Sequence, residues 1–130
     1  MKKPTITMNI IKEDIGYSAY SSFQNKFIGT EGEDFDELKN NIVEAVNLAY
    51  EDKGWSYKIE EIILRPDLQS FFAFYKVINV KALSERIGMN QSLLAQYISG
   101  IKKPSSTQTK RILQGVQQVG KELMAIQFLL

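Results

Sequence analysis

An α+β chain is predicted, with a small antiparallel βββαβ domain over residues 1–65 followed by an all-helical helix-turn-helix domain over residues 66–130. Three observations predict it. Ile6, Met8 and Ile10 alternate with polar residues, the period of a half-buried strand. The period then becomes helical, with Phe35, Leu38, Ile42, Ala45, Val46, Ala49 and Tyr50 falling on one face. Finally, the stretch from Asn79 to Ser105 is punctuated as two short helices around a glycine turn.

Taken in order, Thr5 to Ile11 forms the first strand, and Asp14-Ile15-Gly16 turns the chain. Tyr17 to Ser21 resumes the alternation, Gln24-Asn25 makes a second turn, and Lys26 to Gly29 is a third strand. Tight turns between successive strands imply an antiparallel meander. A helix follows from about Asp34 to Asp52, with Asp34, Asp36 and Glu37 near its positive N-terminal end. Tyr57 to Leu64 is the fourth strand. Arg65-Pro66-Asp67 is the expected boundary, since proline disfavours a helical residue before it and aspartate can cap what comes after. Leu68, Phe71, Phe72, Tyr75 and Ile78 then make an amphipathic helix expected to support the helix-turn-helix.

Within that motif, Leu83 and Ile87 lie on the inner face of a first helix, Gly88 supplies the positive φ that ends it, and Asn90 caps a second helix beginning at Gln91. The second helix turns Leu94, Tyr97 and Ile98 inward. Gln91, Ser92, Ala95, Gln96 and Ser99 point away from the core. Glutamine can pair with the N6 and N7 edge of adenine, and small side chains let a helix approach the floor of the major groove. A glycine-linked helical hairpin also occurs in domains that never touch nucleic acid. This one carries more: Gly100 closes the second helix, Lys102 and Lys103 follow where a phosphate backbone would pass, and Pro104-Ser105 stops the chain before the next helix. Beyond Pro104, Ile112, Val116, Val119, Leu123 and Ile126 keep helical spacing, with Gly115 and Gly120 as points of bending or splitting. The apolar Gln127-Phe128-Leu129-Leu130, with Met124 nearby, either folds back on its own core or forms a two-fold contact between copies; dimerisation is the expected use.

The net charge of +1 conceals an asymmetry. From Met1 to Ser70 eight Lys plus Arg stand against thirteen Asp plus Glu, a net of −5, whereas from Phe71 to Leu130 eight stand against two, a net of +6. A basic module on an acidic one fits a polyanion-binding domain carried by a partner-binding domain. With no cysteine there is neither a disulfide nor a thiolate metal site, and with no long apolar run no signal peptide or membrane span is expected, so a soluble cytoplasmic protein is anticipated.

With both halves laid out, the chain resembles the HicB family of antitoxins over nearly its whole length. The resemblance rests on Gly16-Tyr17-Ser18-Ala19-Tyr20, on the Thr30-Glu31-Gly32-Glu33-Asp34 step, and on the helix Phe35-Asp36-Glu37-Leu38-Lys39-Asn40-Asn41-Ile42-Val43-Glu44-Ala45. It implies a partial ribonuclease-H-like βββαβ domain that binds and masks a small HicA-like, RNA-cleaving toxin, joined to a DNA-binding module that represses its own operon. The second half is similar to the lambda-repressor-like (XRE) helix-turn-helix family at Leu83-Ser84, Gly88, Leu94, Gly100 and Pro104, with Ser84 in place of the commoner alanine. That likeness implies base reading by Gln91, Ser92 and Gln96, and phosphate contacts by Asn79, Asn90, Ser99, Lys102 and Lys103. Lys81, Lys102, Lys103, Lys110 and Arg111 are expected to supply most of the affinity for double-stranded operator DNA. Where the family often has a Pro-Gly turn after the second strand, this chain has Ser22-Phe23-Gln24-Asn25, and a solitary HicB-like transcriptional regulator without a toxin partner is the alternative.

Catalysis is not expected. Asp14, Glu31, Glu33, Asp34 and Glu44 are the carboxylates available to hold magnesium, and none has a diagnostic spacing; the cluster from Glu33 to Glu37 is better explained as capping a helix start. Without His or Cys there is no ready general base or thiol nucleophile, and no phosphate-cradling glycine loop. No cofactor or metal is expected.

Overall fold

The computed structural model describes residues 2–130, which divide into two compact units, the first through Phe74 and the second Tyr75–Leu130. The first contains β1 (Ile6–Lys12), β2 (Tyr17–Phe23), β3 (Lys26–Gly32), α1 (Phe35–Ala49), β4 (Ile62–Pro66) and α2 (Leu68–Phe74), with short 3-10 turns at Glu51–Lys53 and Ile59–Glu61. The second contains α3 (Val80–Ile87), α4 (Gln91–Ser99) and α5 (Ser106–Met124).

The strands form one sheet in the order β3-β2-β1-β4. β1 and β2, and β2 and β3, pair antiparallel as the turn residues predict. Gln24 and Asn25 both have positive φ (49° and 63°), which matches a two-residue hairpin turn to the right-handed twist of its strands. β4 corrects the expected all-antiparallel sheet, because it pairs parallel to β1, with Ile6 opposite Ile62 and Met8 opposite Leu64. The crossover through α1 is the reason: a helix carries the chain to the far end of the sheet, from which the next strand runs in the direction of the first.

Alternation along the strands puts Ile6, Met8, Ile10, Ala19, Ile28 and Ile62 on one face, where they meet Leu38, Ile42 and Val46 of α1 in a single core. Burying each aliphatic side chain of this size is worth roughly 1.5–3 kcal/mol. The alternate positions Ile11, Tyr20, Phe27 and Ile63 are exposed. α1 starts where expected, because the Asp34 carboxylate accepts the Glu37 backbone N–H at 2.8 Å.

Three expectations fail here for reasons outside the local sequence. The fourth strand starts at Ile62 and not at Tyr57, because Asn47 of α1 holds the Tyr57 backbone through both its N–H (2.6 Å) and its carbonyl (3.2 Å). Arg65 and Pro66, expected as a linker, continue the β4 pairing opposite Asn9 and Ile10. Asp67 locks the corner, its carboxylate accepting from the backbone N–H groups of Lys12 (3.0 Å) and Ser70 (2.9 Å). The amphipathic helix that follows stops at Phe74, and Phe74 packs against the core of the sheet unit, stacked on Phe35 at 4.1 Å between ring centres.

Candidate nucleic-acid interface

The second unit is built on caps. Asn79 Oδ1 accepts the Ala82 backbone N–H at 3.0 Å to begin α3, Asn90 Oδ1 accepts that of Leu93 at 3.1 Å to begin α4, and Ser105 Oγ accepts that of Gln108 at 3.2 Å to begin α5. Gly88 ends α3 in the left-handed region at φ +67°, and Gly100 ends α4 at φ +84°. Met89 alone separates the Gly88 cap from the Asn90 cap, and its side chain is buried, so the turn between the two helices is short and anchored.

α4 turns Leu94 and Tyr97 into the core and leaves Gln91, Ser92, Ala95 and Ser99 exposed on the other side, with Gln96 half-buried between them. Gln91 and Ser92 occupy the first turn of the helix, the end that enters a major groove in helix-turn-helix proteins. The Gln96 carbonyl, by contrast, accepts the Lys102 backbone N–H at 3.2 Å and the Ser99 hydroxyl at 3.3 Å, which ties the loop after α4 back onto its last turn.

α5 is one continuous helix, so neither Gly115 nor Gly120 splits it. Gly115 lies where α3 rests on α5: a Cβ there would stand 2.3 Å from Ile87 Cγ2 and 3.6 Å from Leu83 Cδ1. Gly120 faces open space. Along α5, Ile112 is fully buried and Val116 and Val119 are half-buried, but Leu123 and Ile126 are exposed, and so the core ends about a turn earlier than the periodicity predicts. The apolar tail does not fold back; Phe128, Leu129 and Leu130 are almost fully exposed.

Two arginines bind α3 to α5. The Arg86 guanidinium pairs with the Glu122 carboxylate, which also accepts from Gln118 at 3.2 Å; the hydrogen bond from Arg86, then that from Gln118, hold the Glu122 pKa below its ordinary value. Arg111 donates from Nε and Nη2 to the Ile87 carbonyl (3.1 and 2.8 Å) and from Nη2 to the Gly88 carbonyl (2.7 Å). These are the last carbonyls of α3, the negative end of its dipole. The expected phosphate role of Arg111 thus meets a guanidinium already engaged with backbone. No family model, curated protein or solved structure matches the chain.

The other expected phosphate contacts stay open to solvent. Lys81, Lys102, Lys103 and Lys110 are exposed, and among the described residues none of them forms an ion pair. Asn79 and Asn90 are exposed with one oxygen used in capping, which leaves each amide nitrogen to donate outward. Sequence reasoning missed Arg86, Glu122 and Gly115 as the parts that hold the motif. Arg86 and Glu122 are thirty-six positions apart, and no local pattern links them. Among the described residues no group of three or more His, Cys, Asp or Glu could hold a metal ion, and no helix is long and apolar enough to cross a membrane.

Proposed function

We propose that this chain is a DNA-binding antitoxin of the HicAB type, which masks a small RNA-cleaving toxin with its first unit and represses its own operon with its second. The observation that carries the DNA half is the first turn of α4: Gln91 and Ser92 are exposed, capped by Asn90, on a helix whose opposite face is buried through Leu94 and Tyr97. A rigid helix presenting an amide and a hydroxyl suits the major groove, glutamine to adenine and serine to either base type. Lys81, Lys102, Lys103 and Lys110 supply charge around it, so affinity falls steeply with added salt. Two copies bind paired half-sites, and the exposed Leu123, Met124, Ile126 and Phe128 support a contact between them.

The partner half is supported by charge and by surface. Through Ser70 the chain carries a net −5, suited to a basic protein, and its sheet leaves Tyr20, Phe27 and Ile63 exposed on the face away from α1. The βββαβ order with β4 parallel to β1 is compatible with a partial ribonuclease-H-like domain.

The test begins by enriching duplexes from a random pool with the protein. Gln91→Ala with Gln96→Ala should abolish the preference for the enriched duplex while circular dichroism is unchanged; an unaltered preference would remove the base-reading role. Co-expression with a small basic protein encoded next to this chain should relieve that protein's toxicity and give a stable complex. Operator binding without any such relief would favour the solitary regulator.

A further inference from the structure

We infer that Arg111 is a positioning residue: it sets the angle of α4 by clamping the turn before it, and it is not one of the phosphate ligands. The inference rests on the DNA-binding function proposed above. Its guanidinium donates three hydrogen bonds to Ile87 and Gly88, the residues immediately before Met89 and the Asn90 cap of α4. A fourth, longer contact at 3.5 Å runs from Nη1 to Gln108 Oε1 on its own helix. The planar fork suits two neighbouring carbonyls as a lysine ammonium on a flexible stem does not. Gly88 reinforces this arrangement, since a Cβ there would stand 3.3 Å from Arg111 Nη2, and the cap needs the left-handed φ that glycine adopts freely. Two further α5 contacts, Gly115 under Ile87 and Glu122 on Arg86, hold the rest of α3. Among the described residues, Arg111 is the side chain that hydrogen-bonds the Ile87 and Gly88 carbonyls at the turn. Freeing it leaves α3 seated on α5 and lets the turn, and with it Gln91 and Ser92, take several orientations.

The decisive variant is Arg111→Lys, which keeps the charge and loses the fork, with Arg111→Gln as a second. Three quantities are read on the full chain: amide hydrogen exchange at Met89 to Leu94, the affinity ratio between the duplex enriched by the wild type and a scrambled duplex, and the slope of log affinity against log salt. The expected result is faster exchange confined to the turn and first turn of α4, an affinity ratio about tenfold lower in both variants, and a salt slope in Arg111→Gln equal to that of the wild type. A phosphate ligand gives another pattern: affinity for both duplexes falls together and the Arg111→Gln slope drops by about one. That result overturns the inference, and so does unchanged exchange and an unchanged ratio in a folded variant. Should the wild type prefer no duplex at all, the DNA-binding function fails, while the exchange measurement still decides whether Arg111 holds the turn.

Discussion

In the sheet unit Ile6, Met8, Ile10, Leu38, Ile42 and Val46 form one apolar core with almost no exposed surface, whereas among the described apolar residues of the helical unit Leu94 and Ile112 are fully buried and Leu83, Met89 and Tyr97 are buried with a little surface left. The helical unit makes up the difference with polar contacts: three side-chain caps, the Arg111 clamp and the Arg86–Glu122 pair. The difference has a physical origin. A sheet covered by a helix brings two broad apolar faces together, but in the second unit α3 and α4 are only 8 and 9 residues long and each brings a narrow apolar face to α5. Hydrophobic burial therefore dominates the first unit, while in the second a smaller apolar core is supplemented by hydrogen bonds that fix how its helices meet.

The largest effect should come from the apolar side. Ile42→Ala is expected to cost about 3 kcal/mol in the sheet unit, since the cavity forms where the helix and sheet leave no slack. Denaturant titration followed by Trp55, the chain's one tryptophan and a neighbour of this core, would show it. An equal loss in the helical unit, followed separately by NMR, would mean that the two do not differ as described.

The two α5 glycines sharpen the contrast. Gly115→Ala should destabilise the helical unit by roughly 1–3 kcal/mol despite alanine's better helix propensity, because the added methyl meets Ile87. Gly120→Ala, with nothing nearby, should stabilise it by roughly 0.5–1 kcal/mol. Melting curves of opposite sign are the expected outcome, and matching signs would remove the packing explanation. Asn90→Ala should cost about 1 kcal/mol by stripping the α4 cap, again visible in thermal melting.

The smallest effect is electrostatic. Glu122 has a folded pKa below its ordinary value, so its contribution is fully present above the ordinary glutamate range and is lost as pH falls through the lowered folded value. The melting temperature of the helical unit should drop on acidification through that window, and Glu122→Gln should flatten that part of the curve. An identical pH profile in Glu122→Gln would show that the exposed pair contributes nothing, as is common for surface ion pairs.

Punctuation was legible in the chain itself. The helix starts at Asp34, Asn90 and Ser105, the glycine stops at Gly88 and Gly100, the Gln24-Asn25 turn and the inward face of α1 all fall where the residue pattern puts them. Each depends on hydrogen bonds or side-chain periodicity spanning a few residues, and those are written in local order. Tertiary structure alone decided that β4 lies parallel to β1, that Asn47 pins Tyr57, that Phe74 joins the sheet unit, that Gly115 is a contact with Ile87, and that Arg111 binds backbone. These depend on groups from ten to more than fifty residues apart meeting in space, and a residue's type gives its chemistry without saying which distant partner will claim it.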